Sequence, residues 1–446
     1  MPHPDRRWLI KAAVGATAGL SLPGQSDAQR HDPPMIAPTP PMGWSSGRIF
    51  GVGLNEAQAL ESAQIMVEKL RASGYDLFTL DGPWWAQAGR LNLDGYGRPF
   101  PAADLFPSSI GGAGFKPMAD SLHASFLRFG VQVKRGIPRL AVEQNLPILG
   151  TNLRARDIAL TPPSGRAAST LPSDDMIGID MHKDGAQAYY NSVLKLLADW
   201  GVDFVRIDDM TRPYGEHYLD IEAVRMAIEA SGRPMILGLA SGETDLKWAA
   251  HAEQNAQMWR ISSGITDDWK TLKAQFTRLK DWSAYRSPGH WPEIDSLPLG
   301  QLDGARASGL TRDEQTTLMT LWAISRQPLF MGGDLRGLDQ PTLDLLTNPE
   351  VLKVNQKSQR NRASYMKNDG DAYHYWTAVP EDGKGLYVAL FNLADEERFR
   401  YINLWEVGLS GKASVRDLWE HKEMGPVTTR FGITLPAHAS GLFLIS

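Results

Sequence analysis

The feature that most constrains this chain is an alternation. Between Pro40 and Asp334, short apolar β-type runs alternate with segments of helical apolar spacing, eight times in all. The runs are Pro40 to Ser46, Tyr75 to Leu80, Gly130 to Lys134, Val202 to Asp208, Pro234 to Leu239, Met258 to Ile261, the position of Gly289 to Asp295, and Pro328 to Met331. Parallel strands need a long crossover connection, and a helix is its usual form. The pattern therefore predicts a (β/α)8 TIM barrel over residues 39–360. A doubly wound sheet competes, but no strand leads into a phosphate-binding glycine fingerprint. Gly111-Gly112-Ala113-Gly114 follows a Pro-Ser loop instead.

Local signals place several helices. Asn55 is a predicted N-cap for a helix through about Arg71, with Ala59, Ala63, Met66, Val67 and Leu70 on one face. Helical spacing also runs from Phe115 to Phe129, Gly185 to Trp200, Ile221 to Ala230, Thr244 to Gln257, Asp267 to Trp282 and Arg312 to Ser325. Arg135 to Lys183 reads as a long loop, of the kind that covers or builds a site. Past about Asn361 the texture changes to strand-like runs divided by Asp, Gly and Pro, which predicts an antiparallel β-sandwich over 361–446.

The first residues carry Arg6-Arg7, a short apolar run from Ala12 to Leu22, and Ser26-Asp27-Ala28 as a small-residue cleavage site. Residues 1–28 read as a twin-arginine export signal and 29–38 as a Pro-rich linker, so the expected location is periplasmic or secreted. The apolar run is well short of the ~20 residues of a spanning helix, and no membrane association is expected after signal removal. The chain has no cysteine, which excludes disulfides and Cys-based metal sites. A net charge of -5 gives no reason to expect a nucleic-acid partner. No His-x-Glu-x-x-His cluster or Gly-x-Ser-x-Gly elbow is present, so neither metal nor cofactor is implied.

In a barrel of this kind, side chains at the carboxyl ends of the strands converge on the mouth. Those ends are rich in acids. Val202-Asp203-Phe204-Val205-Arg206-Ile207-Asp208-Asp209 closes an apolar strand in two carboxylates. Asp81 ends strand two with Trp84 and Trp85 behind it, Arg260 lies on strand six, and Glu293 and Asp295 fall in the seventh position. Acids beside tryptophans suit glycosidic bond cleavage, which needs one carboxylate as nucleophile or base and another as acid. The expected partner is a carbohydrate.

The ordered motifs resemble glycoside hydrolase family 27, the α-galactosidase and α-N-acetylgalactosaminidase group. They are Thr39-Pro40-Pro41-Met42-Gly43-Trp44, Arg135-Gly136-Ile137-Pro138-Arg139, Trp200 to Asp208, Trp259-Arg260, Trp291-Pro292-Glu293-Ile294-Asp295, and Pro328 to Leu335. The resemblance implies an exo-acting glycosidase with Asp208 as nucleophile and Arg206 as its basic neighbour. It implies that Asp81 binds sugar hydroxyls, Arg260 anchors the sugar, and Asp295 supports that arginine or the nucleophile. Trp84, Gln132 and Glu293 join the expected sugar site.

The departures from the family pattern are equally informative. The family's general acid/base lies four residues after the strand-six arginine, and here that residue is Gly264. Gly82 stands where a second hydroxyl-binding acid is expected, Gly47 where a sugar-facing Trp is common, and Gln132 where an aromatic or His is usual. Three readings follow. Another acid, from Asp209, Asp267, Asp268 or Glu293, replaces the missing one, although Asp267 and Asp268 also suit helix capping. Alternatively the substrate has a good leaving group or brings its own acid, or the barrel is a carbohydrate-binding or accessory protein.

Overall fold

The computed structural model describes residues 35–446 except 52, 88–89, 161–174 and 369–370. The export signal expected over 1–28 and most of the linker lie outside the described residues. Eight parallel strands form the central sheet: β1 (Met42–Ser45), β2 (Leu77–Leu80), β3 (Arg128–Lys134), β4 (Phe204–Asp208), β5 (Ile236–Leu239), β6 (Met258–Arg260), β7 (Trp291–Glu293) and β8 (Leu329–Met331). Their spatial order is β7-β6-β5-β4-β3-β2-β1-β8. The two ends of that order meet where Leu297, just beyond β7, bridges to Met331 in parallel. The indole of Trp44 fastens β1 to the end of β8 by donating from Nε1 to the Gly333 carbonyl at 2.9 Å.

The main helices are α1 (Glu56–Lys69), α2 (Lys116–Ala124), α3 (Ala186–Asp199), α4 (Tyr214–Ser231), α5 (Ala249–Asn255), α6 (Trp269–Asp281) and α7 (Arg312–Ile324). The cap at Asn55 forms as a reciprocal box: Asn55 Oδ1 accepts from Gln58 N at 2.9 Å, and Gln58 Oε1 accepts from Asn55 N at 3.1 Å. Three boundaries differ from the expectation, the first being the helix read over Ile221–Ala230, which begins at Tyr214. The Phe115–Phe129 segment splits because Phe126 adopts a left-handed φ of 58° and turns to solvent, so β3 begins at Arg128. Thr244–Gln257 is helical only from Leu246, first as a 3-10 turn and then as α5. The long loop after β3 also contains order, since Ile137–Pro138 pairs antiparallel with Met176–Ile177.

Strand periodicity builds the site. On β4, Val205 and Ile207 face the helices, while Phe204, Arg206 and Asp208 point inward at successive heights. Phe204 belongs to an apolar floor with Leu77, Ile236, Met258, Trp291 and Phe330. The Arg206 guanidinium lies over the Phe204 and Phe330 rings at 5.7 and 5.5 Å. Above this floor the inward residues become charged.

The C-terminal strands are β9 (Gln359–Asn368), β10 (Asp371–Val379), β11 (Leu386–Phe391), β12 (Arg398–Asn403), β13 (Ala413–Asp417), β14 (Lys422–Val427), β15 (Arg430–Leu435) and β16 (Ser440–Ile445). They make a six-stranded antiparallel sheet, β9-β10-β11-β16-β13-β14, and a ribbon, β12-β15. Between sheet and ribbon lie Val388, Leu390, Ile402, Phe431 and Phe443. The other face of the sheet presents Trp376, Ala389 and Leu442 to the barrel's own core.

Candidate active site

Arg206 is the electrostatic centre of the barrel. It is 3% exposed, and its Nη2 lies 2.7 Å from Glu293 Oε1, with Nη1 3.6 Å from Asp81 Oδ2. Burial alone would lower its pKa, but the Glu293 and Asp81 carboxylates outweigh that and hold it up. The cation is fixed and permanently charged. Asp81 is held in turn by Ser45, whose Oγ donates to Oδ2 at 2.7 Å, and by its backbone N–H donating to Ser46 Oγ at 2.8 Å.

Asp208 stands at the open end of β4, with Gln132 on the adjacent strand donating from Nε2 to its Oδ2. Its pKa is pushed up to about 6, first by burial and then by the nearby Asp81 charge. Arg206 and a hydrogen bond from Ser241 act against the rise. At neutral pH the group is therefore mostly ionised yet poorly solvated, a condition suited to a carboxylate nucleophile.

Asp295 forms a second cluster. Arg260 Nη1 lies 3.2 Å and Arg48 Nη2 3.7 Å from its Oδ2, and Ser296 N donates to Oδ1 at 2.7 Å. Burial would raise its pKa, but Arg260 and Arg48 hold it below the usual carboxylate range. It is a fixed anion, unsuited to giving up a proton. The Ile265 backbone N–H also donates to Oδ2, at 3.3 Å, which ties the loop after β6 to this carboxylate.

That loop explains the glycine at 264. Its φ is +130°, a region that side-chain-bearing residues rarely adopt. A Cβ there would start 3.3 Å from Asp295 Oδ2. Gly82, at φ +132°, is constrained more severely, because a Cβ would meet the Gly51 carbonyl oxygen at 2.3 Å. The missing acids are thus built into the backbone of the site.

The structure does not bring the remaining candidates to the Asp208 carboxylate as free acids. Glu293 is 2% exposed and committed to Arg206. Asp267 is paired with Arg306 Nη1 at 2.5 Å and accepts from Gly309 N, and these partners lower its pKa to about 2. Asp268 caps α6, accepting from Thr271 N at 3.0 Å. Asp209 has a left-handed φ of 64°, and burial raises its pKa; its electrostatic neighbours are Arg135, Lys134 and Asp175. Adjacent carboxylates on β4 thus sit in different surroundings. Trp84 turns inward: it is 4% exposed, its Nε1 donates to the Gln132 carbonyl at 2.7 Å, and its ring packs edge-on against Trp85, Phe115 and Trp200. It supports β3 and offers no exposed face to a sugar.

Several residues of the mouth escaped the sequence reading, among them Ser45, Arg48, Ser296 and Asp303. Ser45 was available from the inward alternation of β1, two positions after Gly43. Arg48 was not, since it lies in the helical turn Gly47–Phe50 beyond the strand, where alternation no longer applies. The mouth encloses about 530 Å³ lined by Ser45, Arg48, Asp81, Gln132, Asp295 and Ser296, a volume suited to a small sugar.

Known proteins share this architecture. Residues 179–357 match the family model described as alpha galactosidase A, and 370–445 match the alpha galactosidase C-terminal beta sandwich domain. A GH27 β-L-arabinopyranosidase from Geobacillus stearothermophilus is 40% identical, with a TM-score of 0.87, covering 92% of this chain and 97% of that one. The chain belongs to glycoside hydrolase family 27. Within this family, Alpha-galactosidase 2 of Arabidopsis thaliana is 26% identical over 416 residues, 92% of this chain and 90% of the plant protein. Alpha-galactosidase I from Mortierella vinacea, at 21% identity and a TM-score of 0.74, covers 92% of this chain and 97% of its own, and shares the fold. The family 27 assignment makes this chain a glycoside hydrolase of the α-galactosidase kind, acting on carbohydrate.

Proposed function

We propose that this family 27 enzyme is an exported, exo-acting α-glycosidase that uses Asp208 as its nucleophile and has no carboxylic acid at the usual acid/base position. The observation that carries the reading is the setting of Asp208: a strand-end carboxylate above Arg206, hydrogen-bonded by Gln132 and Ser241, with a pKa pushed up to about 6. One Asp208 oxygen attacks the anomeric carbon to form a glycosyl-enzyme, which water then hydrolyses. Asp81, Gln132 and Arg260 bind the ring hydroxyls, with Asp295 orienting Arg260. Export rests on the paired arginines and the Ser26-Asp27-Ala28 site.

Two sugars suit the reading. α-D-Galactopyranosides and β-L-arabinopyranosides have the same ring stereochemistry and differ in the exocyclic hydroxymethyl group. The second is supported by the Geobacillus likeness and by Gly82, which offers no acid to hold a further hydroxyl. Purified enzyme assayed on both nitrophenyl glycosides tests the choice. Asp208→Asn should lower turnover of the better substrate by about 10³-fold or more while its circular dichroism stays unchanged. Undiminished turnover by that variant would refute the nucleophile.

A further inference from the structure

We propose that Arg48 stands in for the absent proton donor by receiving the leaving oxygen as an anion, so that the preferred substrates are glycosides of oxygen acids: phenols, carboxylic acids or phosphate. The inference rests on Asp208 as nucleophile and adds the class of aglycone.

The geometry starts at Gly264. An acid at that position would project from a Cβ 3.3 Å from Asp295 Oδ2. Arg48 approaches the same oxygen at 3.7 Å, and its Nη2 also donates to the carbonyl of Ile265, one residue further, at 2.9 Å. A guanidinium therefore lies against the segment from which the acid is missing. Arg48 lines the mouth together with Asp81 and Gln132, is 21% exposed on its side chain, and has a buried Nε without a hydrogen-bond partner among the described residues.

Position 47 allows this placement. A Cβ on Gly47 would meet Asp81 Cγ at 2.9 Å, so the turn carrying Arg48 can pass closely over Asp81 only with glycine there.

Guanidinium chemistry fixes the consequence. Arginine remains protonated beyond any working pH and cannot act as a general acid. It can stabilise negative charge developing on an oxygen, which in a preorganised site is worth about 10²–10³-fold in rate. Asp267 and Asp268, the nearest acids along the loop, are held below the usual carboxylate range by Arg306 and Thr266 respectively. The loop after β6 offers no available proton, and the positive charge beside it comes from Arg48, which donates to the Ile265 carbonyl.

The step balances without a proton donor. An Asp208 oxygen bonds to the anomeric carbon, and the bond from that carbon to the leaving oxygen breaks. Its electron pair departs on that oxygen, which leaves as an anion paired with Arg48. Water then attacks the anomeric carbon, the Asp208 ester bond breaks to regenerate the carboxylate, and the water proton passes to solvent.

The test uses the full-length enzyme, Arg48→Gln, Arg48→Lys and Asp208→Asn. Substrates are aryl glycosides whose phenols range from dinitrophenol to phenol, the methyl glycoside, and the glycosyl phosphate of the same sugar. In the wild type, kcat/KM should fall steeply as the leaving-group pKa rises, with the methyl glycoside essentially inert. Arg48→Gln should lose about 10²-fold on the phenyl glycoside or glycosyl phosphate and less on the dinitrophenyl glycoside, with Arg48→Lys in between. The relative rates on aryl glycoside and phosphate decide which oxygen acid is preferred. A wild type that cleaves methyl and dinitrophenyl glycosides equally well overturns the proposal, and so does an unchanged leaving-group slope in Arg48→Gln. If that variant fails to fold, as read by its melt, the slope of Arg48→Lys decides by the same criterion. An active Asp208→Asn enzyme removes the nucleophile reading instead, and is distinguishable because the Arg48 variants are scored separately.

Discussion

At the scale of single residues, titration of Asp208 links activity to stability. As nucleophile it must be ionised, so kcat/KM on a nitrophenyl glycoside should fall about tenfold per pH unit below its pKa of about 6. No basic limb should appear between pH 6 and 9, because no acid/base carboxylic acid titrates there. A bell-shaped profile with a second limb near 7 or 8 would reveal a proton donor and defeat this expectation. The sign for folding is opposite. A carboxyl whose folded pKa exceeds its unfolded value stabilises the fold at low pH, and that contribution is lost as pH rises through about 6. Asp208→Asn should therefore be more stable than wild type at pH 7.5, by up to about 3 kcal/mol. The difference should vanish below pH 4. Chemical denaturation at both pH values measures it, and equal stability at pH 7.5 would show that the carboxylate is not held against its charge.

At the scale of strands and loops, what the sequence reveals depends on whether a residue lies on a regular element. On β4 the strand-end position of Asp208 was legible, and β pleating sets Phe204 and Arg206 inward beneath it. Beyond the strand ends that logic stops. Trp84 follows an acid and reads as a sugar platform, yet its ring enters the core, because neighbouring Phe115 and Trp200 complete an aromatic cluster that only tertiary packing brings together. Phe126 reads as part of a helix and instead ends one in a left-handed turn. Arg48 carries no pattern at all. The loop after β6 yields a prediction of its own. Gly264→Asp would reintroduce an acid, but at φ +130° a side chain strains the backbone by about 1–3 kcal/mol. The new carboxylate would also lie beside Asp295 and within reach of Arg48. The variant should melt a few degrees lower and gain no more than a few-fold on unactivated glycosides. A gain near the 10²–10⁴-fold of general acid catalysis would mean that the loop rebuilds itself around the acid.

At the scale of the whole molecule, the β-domain is continuous with the barrel core. Trp376, Ala389 and Leu442 share one apolar cluster with Leu318 and Trp322 of α7. Over that cluster lies a set of polar contacts: Trp419 Nε1 donates to Thr320 Oγ1 at 2.9 Å, Ser440 Oγ donates to the same oxygen at 3.0 Å, and Thr317 Oγ1 donates to the His438 carbonyl at 2.7 Å. The His438 ring stacks on Trp269 of α6 at 4.0 Å. Thr320 is fully buried, so Thr320→Val keeps its shape while removing the acceptor of two half-buried donors, at a cost of about 1 kcal/mol. Because the cluster spans both parts, that loss should be felt by the molecule as a unit. Fluorescence of its tryptophans and far-UV circular dichroism should report one coincident unfolding transition in wild type and variant alike, shifted to lower denaturant in the variant. Separate transitions would mean that the β-domain unfolds alone, and that the shared cluster is a contact surface between two independently stable bodies. The distance from Thr320 to the strand ends makes the activity arm equally specific. Below its transition the variant should keep the wild-type kcat/KM, since none of the contacts around Asp208, Arg206 or Arg48 passes through α7.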